Sequence, residues 1–336
     1  MGGLKLATGE KVEIKEYFKE TVSAPTIRLI EKEMVKLSED PWMPDPLPTL
    51  VTCAVSGAFN TRYENPNHPY TNEEIAKECI DALVAGASSI HIHPRSPILP
   101  ILYTPRYWMY KTIIERVKEH IPNALFDGCI VTPDWEENQK ILSLLEMTPV
   151  NTWASFVGLS VIGEVSIALG PEKCMEKTKM IQDMGKKVQV AVYSAGDIHN
   201  AERWLHRTNV LEKPFHYIIL PALPGCTPCT SLEDTFLTTL AEIRMIKDIF
   251  KRYHDPDGSI IMCSAGRATM HLGMMSVLMG EGIRVGMEDT PISYPWSDEP
   301  IPSNKQTVER IVKFCEGIGR GVATADEFRS IIGIKR

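Results

Sequence analysis

Two histidines stand two residues apart in the run Ser88-Ser89-Ile90-His91-Ile92-His93-Pro94-Arg95. Side chains alternate faces along an extended strand, so His91 and His93 share one face while Ile90 and Ile92 share the other. Neutral imidazoles side by side suit a borderline divalent metal such as zinc, although ordinary hydrogen bonds serve such a pair equally well. A second segment, Gly282-Ile283-Arg284-Val285-Gly286-Met287-Glu288-Asp289, puts Ile283, Val285 and Met287 on one face and Arg284, Gly286 and Glu288 on the other. Charges turned inward are costly without partners. A metal partnered by Glu288 removes that cost, and a structural arginine–carboxylate pair is the competing account. Two histidines and one glutamate leave a fourth position for water or substrate, which marks a catalytic ion rather than a structural one. Asp289 follows at the strand end, placed to orient Arg284 through a two-pronged hydrogen bond.

These side chains meet only if the strands bearing them are held close. From Thr49 onward short apolar runs alternate with longer amphipathic ones. The apolar runs predict strands at 49–55, 88–93, 124–131, 150–156, 187–193, 215–221, 259–264 and 282–288. Helical patterns fill 72–85, 105–120, 134–146, 171–184, 197–208, 231–253, 268–279 and 303–319. Thr71/Asn72 and Ser231 precede acidic first turns, and Gly86 and Gly185 sit where C-terminal caps belong. Eight strand–helix pairs predict a parallel sheet closed into a (β/α)₈ TIM barrel, an α/β fold. An open doubly wound sheet competes, but Ser56-Gly57-Ala58-Phe59 makes a poor phosphate loop. In the barrel, strands 2 and 8 flank strand 1, so the histidines and Glu288 converge at the C-terminal mouth, where active sites of this fold sit. Residues 1–48 read as an N-terminal helical extension, with helical spacing over 26–37 and a proline-rich connector at 41–48. Residues 49–336 read as the barrel.

The chain has 336 residues and a net charge of -7, without basic clusters, which disfavours nucleic acid or an anionic membrane as partner. No apolar run approaches the roughly 20 residues of a membrane helix. The N-terminal region turns charged at Glu10, Lys11, Glu13 and Lys15 without a signal core, and the eight cysteines are scattered, so a cytoplasmic protein with reduced thiols is expected.

The two motifs, with Thr52-Cys53-Ala54-Val55-Ser56-Gly57-Ala58, Ala265-Gly266-Arg267 and the tail through Gly319-Arg320 and Ala323-Thr324-Ala325-Asp326-Glu327, resemble the beta-keto acid cleavage enzymes over about residues 50–334. The resemblance implies a metal-dependent acyltransferase on a (β/α)₈ barrel, a homo-oligomer from dimer to tetramer. Such enzymes condense a beta-keto acid with acetyl-CoA to give acetoacetate and a new CoA thioester. Carried onto this chain, His91, His93 and Glu288 would hold Zn2+ or another divalent transition metal, and the Arg284–Asp289 pair would remove the proton between carboxylate and ketone. Arg95, Cys129 and Arg267 would contact the small-molecule substrates.

Departures from the family pattern bear on the substrate. Phe59 stands where the enzymes acting on 5-amino-3-oxohexanoate carry a glutamate for the ammonium group, so an amino-bearing keto acid is not expected. The family's Ser-Thr-Gly-Gly after strand 3, which binds the substrate carboxylate, is here Cys129-Ile130-Val131-Thr132. Tyr193-Ser194-Ala195 also lacks the familiar polar residues, and the stretch after the histidines (residues 97–102) is unusually apolar. Two other readings stay open at this point: a metal-dependent aldolase or hydrolase without CoA, and a binding protein with a structural ion. Cys226 and Cys229 form a CxxC best read as ordinary loop cysteines. His199, His206, His216, His254 and His271, lacking partners on the same face, read as surface or packing residues.

Overall fold

The computed structural model describes residues 47–57, 60–98, 105–130, 134–152, 156–160, 163–167, 170–221 and 231–334, with residues 4–5 and 11–12. The chain divides into two compact units, Met1–Pro46 and Leu47–Arg336. In the first, Leu4–Lys5 pairs antiparallel with Lys11–Val12; the expected helix at 26–37 lies outside the described residues.

The second unit is a closed eight-stranded parallel barrel. Its strands are β1 (Val51–Ala54), β2 (Ser89–Ile92), β3 (Phe126–Gly128), β4 (Met147–Asn151), β5 (Lys187–Val192), β6 (His216–Ile219), β7 (Ser259–Cys263) and β8 (Gly282–Val285). They pair in chain order, and β8 closes on β1 through Ile283–Val51, Arg284–Thr52 and Val285–Cys53. The helices between them are α1 (Asn72–Val84), α2 (Tyr107–His120), α3 (Trp135–Leu144), α4 (Pro171–Asp183), α5 (Ala195–Ala201), α6 (Leu232–Arg252) and α7 (Thr269–Leu278), with α8 (Asn304–Gly317) and α9 (Ala325–Ile331) at the end. Thr71 caps α1 in a reciprocal capping box with Glu74, and the Ser231 side chain caps α6. Among the described residues no helix is long and apolar enough to cross a membrane.

Strand alternation sorts the side chains into two layers. Val51, Cys53, Ile90, Ile92, Phe126, Ile283 and Val285 join the layer packed against the helices. Leu50, Leu125, Met147, Ile218 and Ile261 instead cluster with Phe328 and Ile332, so α9 plugs the end of the barrel opposite the histidines. Arg329 ties that plug to the barrel through a two-pronged pair with Glu146, at 2.5 and 2.6 Å. Arg320 donates to the carbonyls of Val277, in the last turn of α7, and of Gly280 and Glu281, just beyond it, tying the end of that helix to the segment after α8.

Several expectations need correction. The fourth strand runs three residues earlier than the predicted 150–156 and contains Pro149, whose missing donor argued against a strand there. Its neighbour β3 offers a single pairing, Asp127–Met147, so the ladder on that side is short in any case. An antiparallel hairpin, Phe156–Ser160 with Gly163–Ile167, precedes α4 and was not expected. The helix predicted over 197–208 begins at Ala195 and loosens into a π turn at Glu202–His206. The terminal helix α9 was also unforeseen. His206 and His216 do have partners: Tyr217 Oη lies 2.5 Å from the first, and Gln189 and Ser259 lie 3.0 and 2.8 Å from the second, inside the barrel.

Candidate active site

His91 is the third residue of β2 and His93 follows the strand directly, so the pleat brings both imidazoles to the inner face. The rings lie 4.7 Å apart with their Nε2 atoms at 2.8 Å. Glu288, three residues beyond β8, brings Oε1 to 3.3 Å from His93 Nε2 and 3.5 Å from His91 Nε2. Tetrahedral bonds of about 2.0–2.2 Å would set neighbouring donor atoms roughly 3.3–3.6 Å apart. Two of the three separations fall in or near that range, and the third needs the rings to spread slightly. Glu288 Oε2 is buried and has no hydrogen-bond partner among the described residues, which suits a carboxylate awaiting an ion.

The register explains who surrounds this trio. His91 pairs with Asp127 across β2 and β3, and its Nδ1 lies 2.8 Å from Asp127 Oδ2. Arg284 pairs with Cys263 on β7, and its Nε lies 3.1 Å from that sulfur. The expected two-pronged contact with Asp289 is present: Nη2 donates to Oδ1 at 2.6 Å and Nε to Oδ2 at 3.3 Å. The same Nη2 reaches Glu288 Oε1 at 3.1 Å, so one guanidinium links the two acids. Asp127 and Cys263 were not foreseen. An inward acid two residues before Cys129 was the available signal for Asp127, whereas Cys263 has the sequence surroundings of any apolar strand cysteine.

Burial and charge tune these groups against each other. Burial disfavours a charged His91, yet Asp127 and then Glu288 hold its pKa well above the ordinary 6.5. His93, equally buried, is raised to about 8 by Glu288 and Cys129. Burial would raise the Glu288 carboxyl, but His93, Arg284 and His91 hold it well below the usual 4.5. Asp289 goes the other way: burial, reinforced by Glu288, lifts it above 3.8 despite Arg284. Cys129, just past β3, forms a close group with His91 and His93, their donor atoms within 4.8 Å of one another. Burial would raise its thiol, but His93 and His91 bring it down to about 6.

The other expected substrate contacts are placed differently. Arg95 is 1% exposed, and its Nη2 donates to the carbonyls of Ser56 and Asn60 at 2.8 and 2.5 Å. It secures the loop after β1, whose Asn60 in turn donates to the Met287 and Glu288 carbonyls. Arg267, after β7, is exposed and engages Asp298 and the carbonyls of Pro295 and Ser297. Phe59, Cys226 and Cys229 lie outside the described residues.

The backbone closes tightly around Glu288. Gly57 has φ +60°, and a Cβ there would overlap the Glu288 side chain. Gly286 has φ +144°, and a Cβ there would collide with the Ala54 carbonyl. Only glycine accepts both conditions. Asn304, fully buried at the start of α8, ties the same seam. Its Oδ1 accepts from Met287 N at 2.9 Å, and its Nδ2 donates to Val55 O at 3.2 Å and Glu78 Oε2 at 3.0 Å.

Comparison with known proteins agrees with this architecture. The chain is 29% identical over 293 residues to the 3-keto-5-aminohexanoate cleavage enzyme of Acetoanaerobium sticklandii, covering 85% of this chain and 98% of that one. It is 22% identical over 300 residues to the 3-dehydrocarnitine:acetyl-CoA trimethylamine transferase of Rhizobium meliloti, covering 83% and 94%. A solved structure of ObcA with oxaloacetate superposes with a TM-score of 0.65 at 17% identity, over 81% of this chain and 68% of that one, a likeness of fold alone. The model of the beta-keto acid cleavage enzymes matches residues 48–334. With the barrel closed and its motifs gathered at one mouth, the chain belongs to the beta-keto acid cleavage enzyme family.

Proposed function

We propose that this protein is a zinc-dependent acyltransferase that condenses a beta-keto acid with acetyl-CoA, giving acetoacetate and a new acyl-CoA. The observation carrying this reading is the convergence of His91 Nε2, His93 Nε2 and Glu288 Oε1, with the Arg284–Asp289 pair against it. Family membership supports the reaction class, and the acetyl-CoA in the name of the Rhizobium meliloti relative supports the co-substrate.

His91, His93 and Glu288 would hold the ion. Bound there, zinc supplies Lewis acidity toward the ketone and carboxylate oxygens of the keto acid. Asp289, raised by burial, is the base that takes the proton from the carbon between carboxylate and ketone. Arg284 fixes the orientation of that carboxylate and balances its charge. The substrate carbanion attacks the acetyl carbonyl and expels the CoA thiolate. That thiolate adds to the ketone carbon, the bond between this carbon and its former acidic neighbour breaks, and Asp289 returns the proton to give acetoacetate. Arg267, the exposed cation after β7, suits a CoA phosphate or a carboxylate. Arg95 suits loop positioning better than direct contact.

Phe59, in place of the family's ammonium-binding glutamate, supports a keto acid without an amino group. We further take the enzyme to be a cytoplasmic homo-oligomer, dimer to tetramer, with residues 1–48 as an N-terminal extension. The test is a panel of beta-keto acids offered with acetyl-CoA to zinc-loaded protein, with acetoacetate and acyl-CoA followed by mass spectrometry. Paired formation of both products from a neutral keto acid is expected. Keto acid cleavage without acyl-CoA would instead favour a CoA-independent aldolase or hydrolase, and preference for 5-amino-3-oxohexanoate would overturn the substrate assignment.

A further inference from the structure

Cys129 is placed where a metal ligand belongs. Its Sγ and a ring nitrogen of each of His91 and His93 lie within 4.8 Å of one another. Three features of the chain bring it there. β3 pairs with β2 so that Asp127 meets His91. Two residues on, the pleat returns Cys129 to the same inner side. The Cys129 carbonyl is held by Tyr110 Oη at 3.0 Å, which fixes the backbone that carries the sulfur.

The chemistry of the donor set decides what the sulfur does. A neutral thiol is a weak hydrogen-bond donor and a poor anchor for a substrate carboxylate, the task of the serine that the resembled family carries at this position. A thiolate is a strong, soft ligand, and imidazole with thiolate is a combination that zinc favours over manganese or magnesium. Glu288 adds a carboxylate against both rings, and its Oε2 is buried without a hydrogen-bond partner among the described residues. The two imidazoles are therefore shared: Cys129 stands within 4.8 Å of both, and Glu288 Oε1 stands 3.3 and 3.5 Å from their Nε2 atoms.

We propose that Cys129 is a fourth protein ligand, so that the resting metal centre is His91–His93–Glu288–Cys129 rather than a three-residue site open to water. This rests on the metal reading above and extends it. Catalytic zinc expands from four to five ligands, so one substrate oxygen could add beside the thiolate, whereas binding through both oxygens would displace the thiolate or require six ligands. The replacement of serine by cysteine would then exchange a substrate contact for tighter and more selective metal retention.

X-ray absorption at the zinc edge tests this on the full-length protein loaded with one zinc per chain. The expected spectrum contains one sulfur neighbour at about 2.3 Å beside nitrogen and oxygen neighbours at about 2.0–2.2 Å. Cys129→Ser and Cys129→Ala should each keep a zinc and lose the sulfur shell, with circular dichroism confirming the fold. Cobalt loading gives a further readout: a thiolate-to-cobalt charge-transfer band in the near ultraviolet, absent from both variants. A wild-type spectrum without sulfur, in a protein whose zinc is lost in His91→Ala, would overturn this inference and leave the three-residue centre standing. A sulfur shell that survives both Cys129 variants would overturn it too. Failure of the wild type to bind zinc would remove the metal centre and this inference together.

Discussion

Asp127 Oδ2 lies 2.8 Å from His91 Nδ1, and both side chains are buried. A carboxylate there keeps a proton on Nδ1, so that Nε2 is the nitrogen freed for an ion once the ring is neutral, the tautomer a metal requires. Asp127→Asn should lower zinc affinity by about 10–100-fold, as loss of such a supporting hydrogen bond usually does. Titration against a competing chelator measures it, and an unchanged affinity would reduce the pair to a packing contact.

Removing any of the three first donors should have a sharper effect. His91→Ala, His93→Ala and Glu288→Gln should each fall well below one zinc per chain after gel filtration. Chelation of the wild type should abolish turnover, and added zinc should restore it. Elemental analysis beside activity assays would show whether metal content and activity move together.

Asp289→Asn separates chemistry from metal binding, because Asp289 touches Arg284 and Cys263 but no imidazole in the hydrogen-bond network described. Zinc content should be unchanged while kcat falls by about 10²–10⁴, the usual span for a lost general base. Exchange of the acidic proton of the keto acid with deuterated solvent, in the absence of acetyl-CoA, should fall in parallel. Retained exchange would rule Asp289 out as the base.

Metal uptake should depend on pH in a definite direction. His93 is raised to about 8 and His91 also lies above 6.5, so without metal both rings tend to carry protons near neutrality. A protonated imidazole cannot ligate, so each must release its proton when the ion binds. Apparent zinc affinity should therefore rise with pH through neutrality and on past about pH 8, until both rings have lost their protons. Calorimetry in buffers of different ionisation enthalpy would count the released protons; an affinity independent of pH would contradict the arrangement.

Asn304→Ala should destabilise the fold by about 1–3 kcal/mol, because it strands the buried Met287 N–H and the Val55 carbonyl. Urea denaturation reads the loss. Zinc affinity should weaken in the same variant, since Met287 precedes Glu288, the carboxylate proposed to hold the ion.

Period-two alternation made the barrel and the shared face of the two histidines legible in the sequence. His91 and His93 flank Ile92, so their shared direction followed from spacing; Glu288 lies three residues past the end of β8, beyond the positive-φ Gly286, and reaches the same place by the turn. Asp127 was less visible: an acid in a three-residue strand has no periodicity of its own, and only pairing across β2 reveals its role. Pro149 concealed the start of β4 because a missing donor normally argues against a strand. The plug α9 was hidden for a different reason. Phe328 and Ile332 find their apolar partners at the far end of the barrel, a relation no local pattern can carry.

The crowding of Gly57 and Gly286 against the glutamate-bearing turn has an evolutionary consequence. Neither position can acquire even a methyl group without displacing the backbone or the Glu288 side chain. The seam where the first and last strands meet is thereby closed to larger residues at these two positions. New substrates have to be accommodated at other positions around the mouth, as the departures from the family pattern at Phe59, Cys129 and Tyr193-Ser194-Ala195 are.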